Sequence, residues 1–299
     1  MAGRSKTLQI AATTINVIVF IFLLVINFSA SRPNEGPFKN LFGNYSTGEV
    51  SDKFYIEITP AGWAFSIWGL IYSWQAAWIV YSLTLLCRCD NSEVMSPILL
   101  FLFTLTSVVN VTWSVLWSRL MIQSCSILLF ALSFLLYGAL TKSFMTVNVS
   151  TKTVSKRDFI LTQVLVNNGL GMYATWTTIA SLLNMTMAIS YFHGVAQDIG
   201  CTIALSILAV ELIVWFALEN TILDKYTRYT LTVYPVVVWA LSASISKNWD
   251  AAKRNSVISV VLLAVACTLL VVRIVIVVWR ATKSAKRRLK NGSILLSNS

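Results

Sequence analysis

The chain has 299 residues, of which 57% are hydrophobic and only 12% charged, with a net charge of +11. A soluble domain carries roughly twice that charged fraction, so a soluble globular fold is excluded. The positive balance is not a nucleic-acid footprint either: the basic residues lie between and after long apolar runs, which is how membrane topology is written.

Eight apolar segments follow in order: Leu8–Ala30, Ala61–Leu86, Pro97–Met121, Cys125–Phe144, Phe159–Ile189, Gly200–Leu218, Tyr229–Ile245 and Ser256–Trp279. Each is about long enough to cross a bilayer. The first is too long for the core of a cleaved signal peptide and reads as a signal anchor. After it, Ser31 to Ile58 carries Phe38, Leu41, Phe42, Tyr45, Phe54 and Tyr55. A solvated linker does not need such groups, so this loop is predicted to fold onto the mouth of the bundle. It also holds a glycosylation sequon at Asn44. The sequons at Asn110, Asn148 and Asn184 fall within spans or on the inner side.

The second segment opens on Thr59 and Pro60, suited to a helix cap and a first helical position. It carries Trp63, Phe65, Trp68, Tyr72, Trp74, Trp78 and Tyr81. Gly62, Ser66 and Gly69 form a small side for close helix approach. Phe65, Trp68 and Tyr72 share a second side; Trp63, Ile67, Leu70 and Trp74 share a third. The third segment adds Asn110, Trp113 and Trp117. The fifth is predicted to tilt or break near Asn167–Gly169, and it sets Trp176, Ala180, Leu183 and Asn184 on one face. These amides and rings are either interhelical glue or the walls of a pocket. The seventh segment is short and contains Pro235. His193 stands in the loop between the fifth and sixth segments, near Asp198, as a plain loop histidine.

Glu211 lies in the sixth segment and Arg273 in the eighth, at depths of about 12 and 9 Å at helical rise. A lone charge in lipid is costly, so the two are expected to pair. The pair is a structural clamp or the coupling site of a transporter, the remaining alternative being Arg273 snorkelling alone. Arg280, Lys283, Lys286, Arg287, Arg288 and Lys290 then form a basic tail that attracts anionic lipid headgroups or simply stops transfer. Cys87 and Cys89 are candidates for palmitoylation, and Cys125 and Cys201 for a disulfide. No histidine pair or cysteine spacing suits a metal, and no cofactor is expected. No acid–base pair, phosphate loop or Ser/His/Asp arrangement points to an enzyme.

Orientation follows the Lys and Arg count. With the N-terminus inside, the inner segments carry fifteen and the outer seven, with Arg273 within a span. Both termini are therefore predicted to be cytosolic. The fold class is all-α: a polytopic membrane bundle of eight helices.

Three ordered motifs resemble the translocator protein/tryptophan-rich sensory protein (TspO/MBR) family. They are Pro60, Trp63, Phe65, Trp68 and Tyr72 in the second segment, Asn110 and Trp113 in the third, and Trp176, Ala180, Leu183 and Asn184 in the fifth. The long first loop agrees. The chain departs from the family at Ala61, where a second proline stands, in one residue fewer between Phe65 and Trp68, and in lacking a basic residue after Tyr191. The resemblance covers about residues 1–195. It implies a five-helix unit there, with 196–280 as three further helices and 281–299 as a basic cytosolic tail. It further implies a pocket lined by Trp63, Phe65, Trp68, Asn110, Trp113, Trp176, Ala180 and Asn184 for a hydrophobic, planar ligand such as a porphyrin or sterol. Flat aromatic walls with a few amides suit such a ligand. Two other readings stand beside it: a transporter of a small solute using Glu211 and Arg273, and an enzyme acting on a porphyrin or lipid. A homodimer is admitted. The family's animal members are mitochondrial, but the outer sequon and the added spans favour the secretory pathway or plasma membrane.

Overall fold

The computed structural model describes the backbone of residues 2–35, 37–88, 94–149 and 154–297, with side chains outside 2–5, 149 and 284–297. Cys89, Lys152 and the side chains of Arg4, Lys286, Arg287, Arg288 and Lys290 thus lie outside the described residues. The chain is all-α. Its long helices are α1 (Ala2–Ala30), α3 (Ile67–Leu86), α4 (Pro97–Ser118), α5 (Ile122–Val149), α7 (Asn168–Phe192), α8 (Gln197–Asn220), α10 (Val233–Asn248) and α11 (Arg254–Ser297). Short helices α2 (Thr47–Lys53), α6 (Lys156–Leu161) and α9 (Asp224–Thr227) lie between them. Five stretches are long and apolar enough to cross a membrane: Lys6–Ala30, Pro97–Ser118, Ile122–Asn148, Gln197–Asn220 and Arg254–Lys283. This is a multi-pass membrane protein. α3 and α7 are diluted in apolar character by Trp, Tyr, Gln, Asn and Thr, and α10 has 16 residues.

The long helices alternate in direction. Asn16 and Asn27 of α1 bond to Leu100 and Asn110 of α4, so those two run parallel. Ser133 and Ser143 of α5 meet Ser181 and Asn167 on the α7 side, so those run antiparallel. α7 is central: it touches α3, α5, α8 and α10. That explains a helix without a polar face, since a helix covered all round needs none. Its hydroxyls turn inward on their own backbone: Thr177, Ser181 and Thr186 donate to Tyr173, Thr177 and Leu182 carbonyls. Polar side chains thereby stay satisfied in a dry interior.

The start of the second segment differs from the expectation. Thr59 does not cap a helix; its hydroxyl accepts from Ile56 N at 2.8 Å. A 3₁₀ turn covers Gly62–Ser66, and the α-helix begins only at Ile67. The fifth segment is interrupted where the amides cluster: residues Thr162–Asn167 form a π-helix between α6 and α7. The wider turn displaces the usual i→i−4 bonds, and side chains take the carbonyls instead. Asn168 Nδ2 donates to Gln163 O at 2.7 Å, and Trp74 Nε1 to Val164 O at 3.1 Å. Gln75, fully buried, ties the same place to α3 by donating to Gly169 O at 3.0 Å. Pro235 falls in the first turn of α10, where its missing N–H removes no helical bond.

The first loop folds onto one end of the bundle, as its apolar content predicts. Phe42 buries against Ile26 and Ala30 of α1. Gly43 sits so close to α4 that a Cβ there would lie 2.0 Å from Ser118 O. Trp117 Nε1 donates to Thr47 O at 3.2 Å, and Arg119 Nε to Leu41 O at 2.9 Å. Within α2, Ser46 and Glu49 form a capping box, and the bonds to Ser46 hold the Glu49 carboxyl below its ordinary range. Farther on, Tyr191 and Gln197 both donate to Tyr55 O, Asp52 pairs with Lys247, and Glu57 accepts from Asn255. The strap thus reaches α4, α7, α8, α10 and α11. The opposite end is closed by Asp158, which accepts from Tyr81, Ser155 and Arg88. Burial alone would raise that carboxyl, but these bonds hold it below the usual carboxylate range.

Candidate functional site

Three helices bring their aromatic rows to one place. α3 supplies Trp68 and Tyr72, four apart; α4 supplies Asn110, Trp113 and Trp117; α7 supplies Tyr173 and Trp176. Residues three or four apart share a helix face, so each row points one way. Trp68 is the centre. Its ring stacks on Tyr72 at 5.4 Å and lies 5.9 Å from Trp113, 5.9 Å from Tyr173 and 6.3 Å from Trp176. Trp113 stacks in turn on Trp117 at 5.6 Å. Asn110, fully buried, accepts at Oδ1 from Asn27 Nδ2 at 3.0 Å and from Tyr72 OH at 3.1 Å. α1 therefore also contributes to the cage.

What the cage lacks is partners. Trp113 Nε1 and Trp176 Nε1 are buried without a hydrogen-bond acceptor, and Asn110 Nδ2 and Tyr173 OH adjoin one another without a bond of good geometry. Asn184 Oδ1, two turns beyond Trp176 on α7, is also buried without a partner. Buried polar atoms are nearly always bonded, and each exception costs roughly 1–3 kcal/mol. Several such atoms gather around this one group of rings.

Of the residues read from the sequence, Trp68, Asn110, Trp113 and Trp176 come together. Phe65 and Ala180 are half-buried, and Phe65 packs on the same core. Trp63 goes elsewhere: it sits half-exposed on the 3₁₀ turn, edge-on to Trp239 of α10 at 4.8 Å. The tighter turn is the reason, since 3₁₀ geometry rotates Trp63 away from the row of Trp68. Tyr173 and Asn27 were not anticipated. Tyr173 was findable, three residues before Trp176; Asn27 looked like the end of a plain apolar anchor.

The expected Glu211–Arg273 pair does not form. Arg273, with no exposed surface, pairs with Glu219, equally buried, at 3.4 Å from Nε to Oε2. Its guanidinium also donates to Glu219 O, Asn220 Oδ1 and Thr227 O. Glu219 accepts from Tyr234 OH. Asp224 pairs with Arg228 and Arg280 beside it; burial would raise its carboxyl, but the two guanidinium groups hold it low. Glu211 is two helical turns earlier on α8 and instead lines a cavity with α5, α7 and α10. Cys125 and Cys201 are free thiols, not a disulfide. His193, exposed, lies 3.1 Å from Gln123. Among the described residues no group of His, Cys, Asp and Glu could hold a metal.

Long apolar helices around a tryptophan cage, with a strap over one end, define a polytopic membrane protein with an aromatic interior site. The chain belongs to the TSPO-like protein family, whose family model matches residues 13–277, from α1 into α11. No curated protein and no solved structure matches it.

Proposed function

We propose that the chain binds a hydrophobic, planar small molecule, a porphyrin or a sterol-like ligand, in the cage centred on Trp68. Family membership supports a ligand of this class, and the unpartnered indole N–H groups of Trp113 and Trp176, beside Asn110 and Tyr173, carry the assignment to this place. Trp68, Trp113 and Trp176 supply ring faces, Asn110 and the indole N–H groups meet the ligand's polar atoms, and Phe65, Ala180 and Asn184 form the margin. Residues 1–195 make this unit. Residues 196–280 buttress it through α7, and the basic tail from 281 faces anionic headgroups. Eight helices cross the membrane with both termini cytosolic; the alternating helix directions support that count. Binding is the step that transport and sensing would share.

The test is tryptophan fluorescence of the purified protein titrated with protoporphyrin IX. Saturable quenching is expected. Trp68→Ala and Asn110→Ala should each weaken it by tenfold or more, since truncating a buried aromatic anchor costs about 2 kcal/mol. Quenching that is linear, or equal in both variants, would mean partition into lipid and would remove the cage as a site.

A further inference from the structure

α5 and α8 both pack on α7 but, among the described residues, hardly touch one another. Between them lies a cavity of about 660 Å³. Small-molecule pockets run from roughly 300 to 1,000 Å³. Its floor is α7 at Gly171 and Ala174, and α10 closes one end at Val233. Its walls are apolar apart from a few hydroxyls and one charged group, Glu211. No basic residue lines it.

Glu211, exposed along α8, is placed unlike the buried acids Asp158 and Glu219. Among the described residues it makes no ion pair and accepts no hydrogen bond. Three cations toward the same end of α8 and α11 pair elsewhere: Arg273 with Glu219, and Arg228 and Arg280 with Asp224. Its neighbours Val210, Ile213 and Val214 are exposed on the apolar flank of α8, so Glu211 stands at a mouth that opens sideways into lipid. Across the mouth, the Tyr137 hydroxyl is engaged with Thr178. A carboxyl at this depth needs a counter-charge or a proton, and the chain supplies no counter-charge. Phe144, Trp215 and Tyr226 line the interior. Aromatic faces attract cations, and more strongly where water is excluded.

We propose that this cleft is a second ligand site, entered from the bilayer, that takes a hydrophobic organic cation: a bulky apolar body with one positive charge set against Glu211. An acyl chain or a neutral sterol fits less well, because it suits the cleft only once Glu211 has taken a proton. The cleft shares no lining residue with the cage around Trp68, so either assignment can fail alone.

The experiment is equilibrium binding of radiolabelled tetraphenylphosphonium to the full chain in nanodiscs of zwitterionic lipid. Saturable binding is expected. Glu211→Gln should weaken it at least tenfold, whereas Asp198→Asn, near the other end of α8, should leave it unchanged. Ala174→Phe, which fills the cleft from its floor, should abolish binding. Met145→Trp narrows the exposed wall without entering the core, and should weaken binding even if the floor variant does not fold. Absence of saturable binding to the parent chain would overturn the proposal. So would equal binding by Glu211→Gln: a cleft indifferent to its carboxyl holds lipid chains.

Discussion

At the scale of single residues, the decisive feature is a charge that is buried and answered. Arg273 has no solvent exposure and is held by Glu219, Asn220 and Thr227. Burying both charges cost solvation, and removing one leaves the other unanswered. Arg273→Met should therefore lower stability by roughly 3–5 kcal/mol, read as an earlier unfolding midpoint in detergent. Adding Glu219→Gln removes the stranded carboxylate, so the double variant should regain much of that loss. If the two substitutions simply add, the pair is not coupled and the clamp is elsewhere. The same comparison separates Glu219 from Glu211: Glu211→Gln in the Arg273→Met background should give no recovery. Nothing in the linear sequence ranks Glu219 above Glu211. Glu211 lies inside the sixth apolar segment and Glu219 just past its end, so the more central glutamate is the one that the sequence points to. The selection is made by α9, whose short turn brings Asp224 and Thr227 beneath the end of α8.

At the scale of elements, the π-helix at Thr162–Asn167 joins the cage helix α7 to α3. Its displaced Val164 carbonyl is taken by Trp74, and Gly169 lets the indole approach: a Cβ there would lie 2.8 Å from Trp74 Cδ1. The indole cannot yield without losing its bond. Gly169→Ala should then destabilise by about 1–3 kcal/mol, the usual cost of overpacking. Trp74→Leu also costs stability, by stranding the carbonyl, but it vacates the ring. The two changes should combine to less than their sum in a double-mutant cycle read by thermal unfolding. Strict additivity would show that Gly169 is not there for the ring. The π-helix also explains why the interruption near Asn167 was readable while its form was not. Three successive residues, Asn167, Asn168 and Gly169, are poor for a lipid-facing helix, which marks the place. Its form depends also on Trp74 and Gln75, some ninety residues earlier, which answer the Val164 and Gly169 carbonyls.

At the scale of the whole molecule, length and apolarity marked where the long helices lie, because a bilayer demands about twenty apolar residues whatever else the sequence does. The cage was legible as rows on α3, α4 and α7, since helical spacing puts Asn110 beside Trp113 and Tyr173 beside Trp176. Its exact membership was not, because Trp63 belongs to a turn whose tightness depends on the strap and on Trp239. The arrangement of ends follows from the rest. With helices alternating from α1 to α11, the N-terminus and the basic tail share one end, and the strap with Asn44 lies at the other. Asn44 is exposed just before the capping box of α2. In a secretory membrane with cytosolic termini, Asn44 should be glycosylated. A glycosidase-sensitive mass shift should vanish in Asn44→Gln, and a sequon appended after Ser299 should stay unmodified. Modification of the appended sequon would reverse the orientation or break the even number of crossings. A chain unmodified at both places would argue against the secretory membrane while leaving the helix count and the cage untouched, since neither rests on the compartment.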